Sequence, residues 1–262
     1  MGEVKWIEYP GTPYYLNGFV YYDKYSYLDK EVPVETELKL IPKDKPTSIP
    51  FSFVIPKEKG LPSTMISTHG FIQYFVKVAV RVGEEVKKFV KEVIIESPIE
   101  ENLMITVGST AEKNVLLHAG KVNMHASISR KGFAPGENIS VHVHVDNASN
   151  AAVKPRISLH QVQIYMCGSR HKTIETTLSD DPVTGTEVGA HAKADEVLHV
   201  KVPADESLTI KSSVITVKYF VHVTLDIPHS VDLHINLPVV LTSSAVLEEL
   251  RNKDGRLAEV TH

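Results

Sequence analysis

The pair His142 and His144 offers the most recognisable opportunity for chemistry in this sequence. Two side chains separated by one residue point to the same face of a β-strand, and some zinc enzymes bind their metal through such a pair. A zinc site needs at least three protein ligands, and no Cys, Asp or Glu motif nearby supplies the third. We therefore interpret both histidines as side chains on the solvent-facing side of a strand. The alternative is a metal-dependent enzyme with His142 and His144 as ligands.

A thiol offers a second opportunity, because Cys167 precedes His171 by four residues in the segment CGSRH. A catalytic thiol needs a base that the fold holds beside it, and a neighbour in a loop does not establish this arrangement. We interpret Cys167 as a structural cysteine. Arg170, His171 and Lys172 are interpreted as the solvated tip of a hairpin.

Motifs for other reaction types are missing from the sequence. It contains no G-x-S-x-G nucleophile motif, no glycine-rich phosphate loop and no H-E-x-x-H zinc motif. We therefore predict that the protein is not an enzyme, that it has no catalytic, cofactor-binding or metal-binding residues, and that it uses no cofactor.

The composition is that of an ordinary globular protein. The chain has 262 residues, of which 42% are hydrophobic, with 28 Lys and Arg against 32 Asp and Glu. A nucleic-acid partner needs a concentrated basic face, so we predict no such partner. No apolar run approaches the ~20 residues of a membrane-spanning helix, so we predict no transmembrane segment. The single cysteine excludes an intramolecular disulfide, and these features together predict a cytoplasmic protein.

Two-residue alternation of apolar and polar side chains defines the elements that carry these residues. The clearest runs lie at residues 73–82, 139–146, 215–225 and 231–237. Each run predicts a strand with one buried and one solvated face, and half-buried strands are typical of antiparallel sheets. Short strands separated by Pro, Gly and Asn breaks predict an all-β fold of two antiparallel immunoglobulin-like β-sandwiches.

The alternation is broken over residues 96–114 by mixed polarity with Pro98 and Gly108, which makes this stretch the best candidate for a domain boundary. This interruption divides the chain into parts. We predict a sandwich over residues 1–97, a hinge over 98–114, a second sandwich over 115–242 and a terminal segment over 243–262.

The terminal segment is predicted to be either a short helix or a tail. Residues 245–251 read AVLEELR, which are good helix formers, and Ser243 or Ser244 can cap such a helix. Gly255 is expected to end it.

Several segments of the second sandwich are more informative than periodicity. Gly120–Val122, Arg130–Ile139 and Val145–Ser149 resemble the first strands of the arrestin C-terminal domain. The resemblance continues in the same order through Leu159–Gln161, Val202–Pro203, Ile215–Val221 and Leu237–Val240. Physical chemistry accounts for part of it, because Pro135-Gly136 suits a turn and Asn147 can bond its own backbone where a strand ends.

The first part of the chain resembles the arrestin N-terminal domain. The closing half of that domain is similar in sequence to Pro50–Pro56, Leu61–Thr64 and His69–Tyr74. A segment from the middle of the domain resembles Gly2–Trp6. The subgroup that the sequence resembles most is the α-arrestins, or arrestin-domain-containing proteins.

The resemblance implies an arrestin-like fold and a non-enzymatic adaptor. Such proteins act in intracellular protein transport, endocytosis or sorting, and bind the cytoplasmic tails of membrane receptors or transporters. The resemblance implies a cytoplasmic location. Peripheral association with the plasma membrane or endosomes is also compatible with it. α-Arrestins recruit ubiquitin ligases through Pro-Pro-x-Tyr motifs, but this sequence has no Pro-Pro dipeptide. Recruitment of a ligase or of trafficking machinery is therefore left open, and no contact residue is assigned.

The resemblance also implies a truncated N-terminal domain. Because Met1 stands where several strands would precede the Gly2–Trp6 line, we expect residues 1–97 to form an incomplete sandwich with exposed edges. Each missing strand uncovers apolar side chains worth about 1.5–3 kcal/mol apiece. The alternatives are a strand supplied by a partner, or an isoform, fragment or incomplete gene product. An arrestin-fold product with only a structural or protein-interaction role is the alternative function.

Overall fold

The structure, a computed structural model, describes residues 1–9, 18–34, 48–55, 60–82, 84–100, 102–115, 119–179 and 181–259. The strands are β1 (Gly2–Glu8), β2 (Phe19–Tyr25), β3 (Met65–Ser67), β4 (Gly70–Ile72), β5 (Tyr74–Val82), β6 (Glu85–Val93), β7 (Val107–Val115), β8 (Gly120–Ile128), β9 (Gly132–Phe133), β10 (Asn138–Asn147), β11 (Lys154–Cys167), β12 (Arg170–Thr177), β13 (Val183–Thr184), β14 (Ala192–Lys201), β15 (Ile210–Lys211), β16 (Ile215–Asp226) and β17 (Leu233–Leu241), followed by helix α1 (Ser244–Glu259). The pairings are antiparallel except that of β17 with β9, which confirms the predicted all-β, antiparallel fold class.

The second part of the chain forms a two-layer β-sandwich. One layer has the strand order β14-β10-β8-β7, and the other has β12-β11-β16-β17-β9 with β13 beside β11 and β15 beside β16. The alternating apolar residues of β10 and β16 face inward, so that Val141, Val143, Val221 and Val223 are at most 2% exposed. The two inner faces interdigitate as in other β-sandwiches.

Strand β17 runs through a proline that the sequence pattern suggests as a break. Pro238 lies opposite Phe220 of β16. The N–H of Val240 donates to the carbonyl oxygen of Lys131, next to β9. The backbone nitrogen of Pro238, two residues earlier in β17, points to the same side of the strand, at a position where β9 does not yet pair with β17. No hydrogen bond between strands requires an N–H at Pro238, so β17 continues through the proline.

Two further turn predictions are confirmed in this sandwich. Gly136 has φ +87°, and the Glu137 N–H donates to the Ala134 carbonyl across the turn. The Asn147 side chain accepts a 3.1 Å hydrogen bond from the Ser149 N–H. Both residues therefore close the ends of β10 in the way that the sequence indicates.

Residues 107–114, which the alternation places in the hinge, lie in β7 and pair along the whole of β8. The strand is irregular in sequence because it is the edge of its sheet and most of its residues are exposed. The division of the chain into domains stays a prediction.

The terminal segment is a helix that continues past Gly255 to Glu259, so the expected stop at Gly255 is wrong. One glycine in a helix interior costs only about 1 kcal/mol relative to alanine. Leu247 is buried with Leu103, Ala134 and Val240, against the β9–β17 end of the sandwich. No helix in the described ranges is both long and apolar enough to cross a membrane.

The first part of the chain forms a four-stranded sheet, β2-β1-β4-β3, and a separate hairpin of β5 and β6. Val4 and Trp6 of β1 are buried in a core that is continuous with that of the second sandwich. Trp6 also stacks on Tyr21 of β2, with ring centroids 5.2 Å apart.

Polar contacts fasten this sheet to the second sandwich. The Tyr27 hydroxyl donates to Ser212 Oγ at 2.9 Å, and the Tyr165 hydroxyl donates to Ser67 Oγ at 2.9 Å. A Cβ added at Gly2 would lie 2.7 Å from Val214 Cγ2. The backbone of β1 at Gly2 therefore lies too close to the Val214 side chain for a larger residue to replace the glycine.

Candidate protein-binding surface

The structure places His142 and His144 on the outer, solvent-facing side of β10, as predicted. His144 lies opposite His125 of β8 and opposite Asp195 of β14. A row of polar side chains therefore crosses the four-stranded sheet. Thr110 Oγ1 lies 3.0 Å from His125 Nδ1, and His144 Nδ1 lies 2.8 Å from Asp195 Oδ1.

His125 and Asp195 are members of this row that the sequence does not reveal. Asp195 lies 51 residues from His144, and only the strand register brings the two together. The alternation of β8 indicates that His125 is solvated, but it does not indicate the strand that His125 faces.

His125, His144 and Asp195 of this row line a shallow concavity of about 230 Å³ together with His142, Glu196 and Val197. Throughout the ranges that the structure describes, no group of three or more His, Cys, Asp or Glu is arranged to hold a metal ion. The ring nitrogens of His125 and His144 instead meet Thr110 and Asp195. That His142 and His144 are not metal ligands stays a prediction.

A second histidine array covers the outer face of the other sheet. His160 stacks on Phe220 at a centroid distance of 5.0 Å, and His222 stacks on His234 at 5.1 Å. His160 Nδ1 lies 2.9 Å from Glu175 Oε1. The alternation identifies His222 and His234 as outward-facing, and the structure shows that the ring of His160 also contacts that of His222 across strands.

Cys167 and His171 are not brought together for chemistry. Cys167 lies at the end of β11, where its Sγ lies 3.4 Å from the Tyr22 carbonyl oxygen, whereas His171 pairs with Met166 on the other face of the sheet. Gly168 has φ +56° in the tight turn between β11 and β12. Arg170 and Lys172 therefore lie at a hairpin tip, as predicted.

A buried polar cluster around Tyr219 lies inside the second sandwich. The Tyr219 hydroxyl donates to the Ser207 carbonyl at 2.7 Å, and Gln161 Nε2 donates to Glu206 Oε1 at 2.6 Å. Burial raises the pKa of Tyr219 well above its ordinary value, against the opposing effect of the hydrogen bonds from Ser207 and Gln161. The tyrosine is therefore neutral, and the cluster holds the loop before β15 in place.

Exposed apolar side chains are concentrated in the first part of the chain. Among the described residues, the large hydrophobic side chains that are exposed lie in residues 1–97 with three exceptions, Ile105, Val197 and Val231. Monomeric proteins rarely expose contiguous apolar patches of large area. The first part of the chain is therefore where we expect other proteins to bind.

An apolar groove lies on the β5–β6 hairpin, with a volume of about 330 Å³. Its lining is almost entirely apolar. We name it the hairpin groove and define it by Phe51, Phe53, Val76, Val78, Phe89, Val90 and Lys91. Val78 lies opposite Phe89 in the hairpin, and Phe89 is 61% exposed.

Lysines lie beside the hairpin groove on β6, a strand that also carries the exposed Glu85 and Glu92. Lys87, Lys88 and Lys91 of β6 are exposed, and no ion pair within the described part of the chain involves them. Lys91 lies opposite Val76, and Lys87 lies opposite Val80, so both lysines flank Phe89 on the groove face. The site combines an apolar floor with a basic rim.

Comparisons with known proteins give this arrangement its context. Residues 118–246 match the family described as Arrestin (or S-antigen), C-terminal domain. Arrestin domain-containing protein 4 of Homo sapiens is 28% identical over 200 residues, which are 73% of this chain and 47% of that protein. The Mus musculus protein of the same name is 27% identical over 73% of this chain and 48% of its own length.

A second kind of relative matches at lower identity. Thioredoxin-interacting protein of Homo sapiens is 22% identical over 258 residues, which are 94% of this chain and 64% of that protein. The chain thus spans about half of the length of the first two relatives and under two thirds of the third. Residues 118–246 therefore match the arrestin C-terminal domain, and the chain is homologous, at modest identity, to these α-arrestins.

Proposed function

We propose that this protein is a non-enzymatic adaptor that binds the cytoplasmic tails of membrane receptors or transporters and acts in their transport, endocytosis or sorting. The match of residues 118–246 to the arrestin C-terminal domain carries the proposal. Its place of action is the cytoplasm and the cytoplasmic surface of the plasma membrane or endosomes. Ubiquitin-ligase recruitment is not included, because the sequence has no Pro-Pro dipeptide.

The surface features described above support a binding role. The hairpin groove offers apolar area and exposed lysines beside a strand edge, and an extended peptide that adds to such an edge takes its specificity from pockets for its alternate side chains. The two histidine arrays add polar outer faces on the second sandwich. A binding role for these surfaces needs no catalytic residues.

Proximity labelling tests the proposal. The full chain is fused to a promiscuous biotin ligase in cells, and we expect membrane receptors or transporters among the labelled proteins, with the label on their cytoplasmic side. The test variant is Phe89→Ser, which changes an exposed apolar residue of the hairpin groove, and its matched control is Val231→Ser. Val231→Ser makes a similar change at a residue of the second sandwich that is 72% exposed.

We expect Phe89→Ser to reduce labelling of the specific cargo and Val231→Ser to leave it unchanged. A labelling pattern identical to that of the free ligase, with no membrane protein enriched, would contradict the adaptor function.

The second candidate function is an arrestin-fold product with only a structural or protein-interaction role. The exposed apolar side chains of residues 1–97 favour it, because such surfaces also promote non-specific association. Labelling dominated by chaperones, and unchanged by Phe89→Ser, would support this second function over the first.

A further inference from the structure

Strand β14 leaves one backbone edge of the second sandwich open. It comes first in the strand order β14-β10-β8-β7, and among the residues that the structure describes no further strand pairs with it. The Val202 N–H donates to the Glu137 carbonyl, on the β10 side. Because backbone groups alternate in direction along an antiparallel strand, the odd-numbered residues of Asp195–Lys201 direct their N–H and C=O groups away from β10. Another extended chain can pair with such free groups.

The side chains along this edge suit pairing with another strand. Val197 lies in the middle of β14 and is 43% exposed. The side chain of Asp195 is 83% exposed, and Lys201 is exposed as well. No ion pair within the described ranges involves Lys201. The open edge therefore presents an apolar residue with an acidic residue on one side and an available basic residue on the other.

The order of these charges makes a second copy of the chain a strand that fits. Two copies of β14 pair in the antiparallel direction around a two-fold axis, and the same patch then serves both copies. With Leu198 at the axis, Asp195 of each copy lies opposite Lys201 of the other. Val197 of each copy lies opposite His199 of the other. The pairing joins two sets of opposite charges and places no like charges opposite one another, which is the favourable arrangement for neighbouring strands.

The neighbouring two-fold registers are less favourable. An axis at Val197 places Lys193 of each copy opposite Lys201 of the other. An axis at Glu196 places the two Glu196 side chains opposite each other. An axis at His199 places the two imidazoles opposite each other and forms no pair of opposite charges. Like charges directly opposite one another destabilise paired strands, so the charges of β14 select the axis at Leu198.

We propose that two copies of this chain associate through β14, with the two-fold axis at Leu198. Their four-stranded sheets then join into one continuous sheet of eight strands, and the pairing covers the free backbone edge and Val197. One strand of each copy forms the contact, so the dimer dissociates on dilution. This self-association goes beyond the proposed adaptor function and does not depend on it.

Sedimentation velocity of the full chain over a range of concentrations tests the inference. We expect a reversible equilibrium between monomer and dimer. Asp195→Lys places a lysine opposite Lys201 at both ends of the pairing, and Lys201→Asp places an aspartate opposite Asp195 in the same way. Each variant is expected to raise the dissociation constant of the dimer by about tenfold or more. Far-UV circular dichroism is expected to show both variants folded, because both side chains are exposed.

Mixing these two variants tests the register itself. In a pair formed by one copy of each, the lysine introduced at position 195 faces the aspartate introduced at position 201, and the native Asp195 faces the native Lys201. The mixture is therefore expected to dimerise as the unmodified chain does, although each variant alone does not. Lys211→Asp, at an exposed lysine of β15, is the matched control and is expected to leave the dissociation constant unchanged.

Val197→Pro tests the contribution of the backbone. The N–H of residue 197 faces away from β10, so proline there removes no hydrogen bond of the sandwich while it prevents pairing with an added strand. We expect this variant to be monomeric, with far-UV circular dichroism like that of the unmodified chain.

Three outcomes overturn the inference. The first is an unmodified chain that stays monomeric at every concentration. The second is a dimer that persists in Asp195→Lys and dissociates in Phe89→Ser, which assigns self-association to the hairpin groove. The third is a mixture of Asp195→Lys and Lys201→Asp that stays as monomeric as each variant alone, which excludes the proposed register. The adaptor function stands or fails separately, on receptor labelling in cells.

Discussion

The β5–β6 hairpin and strand β10 have the same kind of sequence and very different surroundings. Valine alternates with polar residues in both, at Val76 and Val78 in the hairpin and at Val141 and Val143 in β10. The β10 valines are at most 2% exposed, whereas those of the hairpin are only half-buried. An opposing sheet covers β10, but the described residues over the hairpin form only a groove. Alternation thus predicts a strand and its apolar face, while burial depends on a second layer.

The largest expected effect comes from one substitution made in both regions. Val143→Ala removes two methyl groups from a closed core and is expected to lower the free energy of unfolding by about 2–3 kcal/mol. Val78→Ala removes the same groups from the open groove and is expected to cost less than about 1 kcal/mol. Urea denaturation followed by circular dichroism measures both. Equal losses would mean that the hairpin is packed as tightly as the sandwich.

The junction between the two regions is expected to give a smaller and more local effect. Tyr27→Phe/Tyr165→Phe removes the hydroxyls that donate hydrogen bonds to Ser212 and Ser67. Each lost hydrogen bond is expected to reduce stability by about 1 kcal/mol. Amide hydrogen exchange of β1 is expected to accelerate while that of β10 is unchanged. Tyr9→Phe, at a side chain 69% exposed, is the control and is expected to change neither. Equal acceleration in β1 and β10 would show that the regions unfold as one unit.

The contact of α1 with the second sandwich is expected to weaken in acid. Burial alone would raise the pKa of Glu137, but the Ala134 N–H, Arg130 and Arg251 outweigh it and lower the pKa below the ordinary 4.5. The carboxylate accepts hydrogen bonds from Arg130 Nη2 at 3.0 Å and from Arg251 Nη2 at 3.1 Å. Because the folded-state pKa is lowered, this stabilisation is complete above the ordinary value and is lost as the pH falls through the lowered one.

Glu137→Gln is expected to lower the free energy of unfolding by about 1 kcal/mol at neutral pH. The variant is also expected to lose less stability than the unmodified protein below pH 4.5. Thermal unfolding of the two proteins between neutral and acidic pH measures both effects. An unchanged acid profile in Glu137→Gln would contradict the assignment.

The smallest expected effect concerns His69, between the first sheet and the second sandwich. Its ring meets that of Tyr165 edge-on at 5.5 Å. Burial and the positive charge of Lys172 lower the pKa of His69 below its ordinary 6.5. The neutral ring is favoured in the folded protein, so the stabilisation is complete above pH 6.5 and declines as the pH falls through the lowered pKa.

An NMR titration of the imidazole resonances measures this pKa directly. Lys172→Gln is expected to raise this pKa, while Lys201→Gln, at an exposed position of β14, is expected to leave it unchanged. A His69 pKa above that of an unfolded peptide would contradict the proposed cause.

The accuracy of the sequence-based predictions follows the range of the interactions involved. The strands around Val143 and Val221 and the turn at Gly136 are predicted correctly, because alternation and backbone conformation are local properties. The passage of β17 through Pro238 and of α1 through Gly255 is not, because neighbouring strands and packed side chains decide whether a local break takes effect.

The candidate sites show the same division. The sequence identifies His142 and His144 as solvated, but the partners His125 and Asp195 are set by strand register. The sequence analysis assigns no strand to Phe89 and the lysines of β6, and only the structure pairs them with β5 and shows that the groove is open.

By itself, the sequence determined the all-β class, the faces of the strands and the arrestin resemblance, since each depends on residue order along one segment. The tertiary structure alone decided which apolar faces are covered and which polar side chains meet. Those outcomes depend on the layer that lies opposite each strand, and that layer comes from residues distant in the chain.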